Sequence, residues 1–173
     1  MMRRSGECGF TLTELLIVVG IITVIAAMAV PGLLRARMAG NEASAIGSLR
    51  AINNAQSIYA ASCGNGYYAP SLASLATPPT TTGGDGFIGP DLGADPSLKS
   101  GYTVTMTPGA AAAGAPASCN GGTVVSTYFV SASPTPGGGN RHFGTNQGGT
   151  IFQSDRPVRV TQFGAPGRAT AIQ

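Results

Sequence analysis

Glu14 carries the chemistry that most constrains this chain of 173 residues. It stands directly before residues 15–30, a run without a single charged side chain. A carboxylate at the edge of a membrane-length apolar helix is expensive to hold in hydrocarbon and marks a functional position by default. It needs a counter-charge, and the run contains no Lys or Arg. The nearest candidate is an α-amino group, and a cut after Gly9 would create one on Phe10.

The remaining polar residues are weaker candidates. His142 is the one histidine. No cysteine neighbours it and no Ser/His/Asp pattern assembles around it, so it reads as a surface-loop residue and neither catalyst nor metal ligand. Asp85, Asp91 and Asp95 fall in a Gly/Pro-rich stretch. Carboxylates and carbonyls in such loops can bind Ca²⁺. Their spacing does not fit the helix-loop-helix calcium site, so solvated turn aspartates are the preferred reading and calcium the weaker one. No Gly-rich phosphate loop follows a strand, which leaves nucleotide binding unsupported. The Pro/Thr tract at 78–82 suits O-linked sugar, and no Asn-x-Ser/Thr sequon is present. No catalytic set emerges, so neither an enzyme nor a cofactor is expected.

The string Gly9-Phe10-Thr11-Leu12-Thr13-Glu14, with Arg3 and Arg4 before it and the apolar run behind it, resembles the class III signal of type IV pilins and type II secretion pseudopilins. The resemblance implies that a prepilin peptidase cuts between Gly9 and Phe10 and that the new Phe10 amine is N-methylated. Glu14 then becomes the fifth residue of the cut chain. Pro31 stands where the family usually has a proline in this helix. The resemblance is specific over roughly the first fifty residues and loose beyond them. An ordinary secretory signal also begins basic and turns apolar, and Ala26-Ala27-Met28-Ala29 offers small residues for a cut. Such a signal has no use for a Glu before its core, nor for an amphipathic helix continuing behind it.

The same resemblance gives Glu14 a partner. When apolar helices bundle without water, an unpaired carboxylate is strongly penalised. Pairing with the Phe10 amine of a neighbouring subunit compensates it and sets the axial register.

One long helix is expected from Phe10 to about Ser62. Its first part is apolar all round, as a membrane or filament-core helix must be. Its second part is amphipathic, with Ala45, Leu49, Ile52, Gln56 and Tyr59 on one stripe and Arg50, Asn53 and Asn54 elsewhere. About 53 residues at 1.5 Å each give a rod of about 80 Å. A domain of this size cannot bury it, so its front half must protrude and find lipid, then other copies. Gly20, Pro31 and Gly32 are expected to break or kink it, because proline removes a donor and clashes with the preceding turn.

Beyond the helix, short helical turns are expected at 70–76 and 95–100. Strands are expected at 102–106, at 123–131, at 150–153 and, as an edge, at 158–163, where Arg159 would discourage pairing with other chains. Residues 109–122 form a small-residue loop. The fold class is α+β, a long helix on a small antiparallel sheet as in pilins, with a leader at 1–9, a transmembrane or filament-core half at 10–34, and a head at 35–173. The strand order cannot be deduced.

Loss of the leader removes Arg3, Arg4 and Glu7, leaving 8 basic and 6 acidic side chains, a net +2. That is too little, and too dispersed, to argue for a specific nucleic-acid partner. Charged residues make up 10% of the chain and there is no Trp, which suits a loop-rich extracellular protein. Cys8 departs with the leader, and the remaining pair, Cys63 and Cys119, is expected to oxidise outside the cytoplasm.

The resemblance thus implies a major pilin of a type IV pilus. It would be a precursor in the bacterial inner membrane, then a homopolymeric helical filament at the cell surface, handled by the prepilin peptidase and the pilus assembly machinery. The alternative is a type II secretion pseudopilin in a short periplasmic pseudopilus. The major pseudopilins of that system hold a structural calcium, and the resemblance assigns none of its ligands to Asp85, Asp91 or Asp95. A disulfide-bearing, Gly/Thr-rich head favours the surface.

Overall fold

A computed structural model describes residues 9–80, 83–165 and 167–172. Apart from Gly9, the expected leader, with Arg3, Arg4 and Cys8, lies outside the described residues, as do Thr81 and Thr82 of the Pro/Thr tract. The elements are α1 (Leu12–Ser62), α2 (Leu72–Ala76), a 3₁₀ turn (Pro90–Leu92), β1 (Ser97–Lys99), β2 (Tyr102–Pro108), β3 (Tyr128–Pro134), β4 (His142–Asn146), β5 (Ile151–Ser154) and β6 (Thr170–Ala171). The strands form one sheet in the order β1-β2-β3-β4-β5-β6, every neighbouring pair antiparallel. The fold class is α+β. The chain divides into two compact units, Met1–Arg37 and Met38–Gln173.

In the first unit α1 runs without a break through Gly20, Pro31 and Gly32. No break in helical structure occurs at any of the three. Pro31 lacks an N–H and so forgoes one backbone bond, but the turns on either side keep theirs, and a long helix tolerates that single loss. The Thr23 hydroxyl is the polar group within the apolar run, and it donates to the Val19 carbonyl at 2.7 Å. This back-bond satisfies it within the helix.

In the second unit the stripe Ala45, Leu49, Ile52, Gln56 and Tyr59 is buried, each residue three or four positions from the last, so that all fall on one face. The sheet answers with every second residue. Tyr102, Val104 and Met106 of β2 pair with Pro134, Ala132 and Val130 of β3. Val130 and Ala132 face Thr145 and Phe143 of β4, and Thr145 faces Ile151 of β5. Full burial of an apolar side chain such as Leu49 or Ile52 contributes about 1.5–3 kcal/mol. Gln56 is the exception on the stripe. It is fully buried, and its amide clamps one residue of the loop beyond the helix: Nε2 donates to the Ala69 carbonyl and Oε1 accepts from the Ala69 N–H, both at 2.9 Å.

The β regions differ from the sequence expectation in four places. Residues 95–100 hold strand β1, not a helical turn. Ser100 and Gly101 both have positive φ, 48° and 70°, and form the two-residue loop of a hairpin that pairs Lys99 with Tyr102. The strand expected from Thr123 begins at Tyr128. Val124 and Val125 are buried, but Val125 makes only isolated bridges to Tyr68 and Ala111. β4 was not expected. Its burial does not alternate, because Phe143 and Thr145 face α1 while Gly144 and Asn146 meet the later segment. Asn53 of α1 donates to Thr145 Oγ1 at 2.9 Å, and a Cβ on Gly144 would lie 2.6 Å from Val160 Cγ2. That segment, 158–163, is not the edge strand. It lies over the sheet face opposite α1, with a single bridge, Thr161 to Gly164, and the edge is β6.

Replacing Gln56 with Leu adds apolar surface to the core yet should destabilise the second unit. It strands the N–H and the carbonyl of Ala69, each costing about 1–3 kcal/mol when buried and unpaired. Urea unfolding of the full chain in detergent, followed by near-ultraviolet circular dichroism, should show a lower midpoint at an unchanged slope.

Candidate functional site

The start of α1 is closed by a reciprocal cap. The Glu14 N–H donates to Thr11 Oγ1 at 3.2 Å, while Glu14 Oε2 accepts from the Thr11 N–H at 3.0 Å and from the Thr11 hydroxyl at 2.6 Å. This is a capping box, in which two orphan donors of a helix end are satisfied by one pair of side chains. Sequence reasoning passed over it, although Thr-x-x-Glu ahead of an apolar run is its signature. The sequence alone presents Glu14 as a carboxylate in need of an amine; in the single chain it is engaged by its own first turn. Phe10 and Glu14 are both exposed. A Cβ on Gly9 would meet no described atom within 4 Å, so the chain's own packing does not demand glycine there.

A second ionic cluster fixes α1 within the second unit. Glu42 Oε1 accepts from the N–H groups of Asn140 (3.0 Å) and Arg141 (3.3 Å), and Oε2 accepts from Arg141 Nε (2.8 Å) and Nη2 (2.6 Å). Arg141 Nη1 reaches Gln153 Oε1 at 2.7 Å, and its carbonyl accepts from the Tyr102 hydroxyl at 2.8 Å. Next to Glu42, Asn41 donates to the Gly138 carbonyl at 2.9 Å. One helical turn thereby grips the whole β3–β4 connection. Burial pushes the Glu42 carboxyl up, but the Asn140 N–H and the Arg141 guanidinium outweigh it and hold the group below its usual 4.5. Burial, with the Glu42 charge, pushes the Tyr102 hydroxyl up to about 12.

The other sequence candidates take structural places. His142 lies in β4, not in a surface loop, and its Nδ1 is 3.1 Å from Ser133 Oγ on the neighbouring strand. Burial lowers its pKa, and Asp155 opposes that shift. Among the described residues no carboxylate hydrogen-bonds the ring, so the contact is a cross-strand bond without a relay behind it. The three aspartates are not gathered. Asp91 pairs with Lys99 at 2.6 Å. Asp95 accepts from the N–H groups of Leu72 (3.4 Å) and Met106 (3.0 Å), tying α2 to β2. Among the described residues no group of three His, Cys, Asp or Glu side chains is placed to hold a metal. Cys63 and Cys119 are joined by a disulfide that links the end of α1 to the small-residue loop. Closing 56 residues of chain is worth about 4 kcal/mol in the chain-entropy picture.

An apolar helix leading into a six-stranded antiparallel sheet defines a pilin-like architecture. Residues 4–30 match the family model described as the prokaryotic N-terminal methylation motif, the prepilin-type signal of type IV pilins and pseudopilins. The match spans the Gly9-Phe10 junction, Glu14 and the apolar run, and supports a type IV pilin or pseudopilin without reaching the sheet. It implies processing by a prepilin peptidase, and the signal and apolar helix suit a membrane-anchored precursor. No curated protein and no solved structure matches the chain.

The Glu42 cluster makes stability pH-dependent with a defined sign. Its folded pKa is lower than its unfolded one, so the stabilisation is present above pH 4.5 and is lost as the pH falls through the folded value. At neutral pH Glu42→Gln should cost about 1–3 kcal/mol, and the difference from wild type should shrink steadily in acid. Unfolding midpoints of both proteins across the acid range provide the check; an acid-independent difference would assign the loss to packing.

Proposed function

We propose that this chain is the major structural subunit of a type IV pilus, polymerised through the apolar half of α1. One observation carries the reading. Every large apolar side chain from Phe10 to Leu34 is exposed in the single chain. Such a surface requires lipid before assembly and other copies of the same helix after it. The peptidase cut between Gly9 and Phe10 releases the leader and creates a Phe10 ammonium, which is then N-methylated. On bundling, the Glu14 carboxylate exchanges its Thr11 cap for the Phe10 ammonium of a neighbour. Gly20, Pro31 and Gly32 are the points where the helix can unwind as the subunit leaves the bilayer, since the proline has already given up one bond.

Intact-mass measurement of the protein purified from cells should show loss of residues 1–9 and gain of one methyl group. Gly9→Leu should remain uncut. A chain cut near Ala29, or left whole in the wild type, would remove the reading. Because the packing around Gly9 is open, failure of Gly9→Leu would report the peptidase's demand and not misfolding.

Glu14 separates charge from capping. Gln can complete a capping box as Glu does, but it carries no charge. Both Glu14→Ala and Glu14→Gln should insert, be processed and keep a folded second unit, yet give few or no sheared filaments. An unpaired buried ammonium costs roughly 3–5 kcal/mol at each added subunit. Normal filaments from Glu14→Gln alone would assign the residue to the cap. Wild-type protein that is cut and methylated but stays periplasmic, with no sheared fibres, would favour the secretion pseudopilus.

A further inference from the structure

Three arginines that have no partner among the described residues line one cleft in the second unit. Arg156 follows β5, Arg159 lies on the segment that crosses the sheet, and Arg168 stands two residues before β6; all three are exposed and line the same cleft of about 280 Å³. The positions are held by backbone and core. The Arg156 N–H donates to Ser154 Oγ at 3.2 Å, Val158 is buried against the Gly144 face of β4, and Asn146 Nδ2 fastens the Thr161 carbonyl at 2.6 Å. β6 pairs Thr170 with Gln153, which returns the chain beside the end of β5. Among the described residues no hydrogen bond or ion pair engages any of the three guanidinium groups.

Charge elsewhere in the unit is disposed differently. Residues 38–154 carry Arg50, Lys99 and Arg141 against Glu42, Asp85, Asp91 and Asp95, a net −1. There Arg141 is committed to Glu42 and Lys99 to Asp91. The cleft brings three arginines against Asp155, a net +2. Asp155 itself accepts from Ser154 Oγ at 3.3 Å. A carboxylate ligand would satisfy one guanidinium fork. Free phosphate or a phosphomonoester presents at least three oxygens around a tetrahedron and a charge of about −1.5 to −2 at neutral pH, which matches both the number of forks and the excess charge, whereas a phosphodiester headgroup brings two free oxygens and a single charge and engages fewer of the forks.

We infer that the Arg156–Arg159–Arg168 cleft is an anion site that takes a phosphate group, whether free or in a lipid headgroup. The site is independent of the assembly reading, since it uses no residue of the apolar helix.

The test is equilibrium binding to the full chain in maltoside detergent at low salt. The probes are inorganic phosphate, glycerophosphoglycerol (the acyl-free diester of a lipid headgroup) and acetate. Phosphate or the diester should bind saturably, whichever is tighter naming the source, and acetate should compete weakly. Arg159→Gln/Arg168→Gln should lose affinity by about tenfold or more. Arg35→Gln/Arg37→Gln removes the same charge from α1 and should change affinity less than about twofold. Arg159→Lys/Arg168→Lys keeps the charge without the fork and should fall between. Equal loss in the two Gln doubles, acetate binding as well as phosphate, or no saturable binding of either phosphate probe would overturn the inference. Near-ultraviolet dichroism identical to wild type shows that the cleft variants are folded.

Discussion

An uncovered apolar surface is the constraint from which the other features follow. Residues 10–34 present large hydrophobic side chains on every side of α1, and a helix of that kind has no stable place in water. Three of the polar side chains along it are closed off within the helix, while the Thr13 hydroxyl stays exposed. Thr11 and Glu14 satisfy each other and the first turn, and Thr23 is spent on Val19. What else remains outward is hydrocarbon with one carboxylate at its end. If that carboxylate changes partner, the Thr11 hydroxyl still accepts from the Glu14 N–H, and the Thr11 N–H is the one donor of the cap that gives up its acceptor.

Past Arg37 the same helix follows a different rule. One stripe is apolar and buried, and the opposite side is solvated. The burial alone would leave the helix free to slide along a greasy sheet. Polar closures prevent this at three heights: Asn41 and Glu42 grip the β3–β4 connection, Gln56 clamps Ala69, and Cys63 is bonded to Cys119. Asn41, Glu42 and Cys63 have partners far along the chain and Gln56 has one in the loop just beyond the helix, so together they fix the helix's rotation and its height. Hydrogen bonds to buried groups are costly to break singly, so these closures set the register of the helix and stabilise it together.

The sheet is a meander in which each strand pairs with its sequence neighbours, and its two faces are occupied differently. α1 covers one face. The other is partly covered by residues 158–161, whose close approach requires a strand position without a Cβ at Gly144. This crossing, rather than an added edge strand, is what brings Arg159 round to Arg156 and Arg168.

The parts of the molecule governed by local chemistry are legible in the order of the residues. The prepilin-type signal, the charge-free run and the three-and-four spacing of Ala45 to Tyr59 are written in consecutive residues, and a helix's face depends only on spacing. The cap is written there too, as Thr-x-x-Glu ahead of the apolar run. The tertiary structure decided the rest. β4 carries no alternating pattern because both its faces are covered. β1 depends on a Ser100-Gly101 turn whose handedness overrode a helix-tolerant run. The strand expected at 158–163 gave way to a surface crossing, since pairing partners and not propensity select an edge. Glu42 with Arg141 and Gln56 with Ala69 are pairs 99 and 13 residues apart. Arg156, Arg159 and Arg168 meet only because β6 folds back on β5. Such juxtapositions arise from the path of the chain in space, which no local pattern encodes.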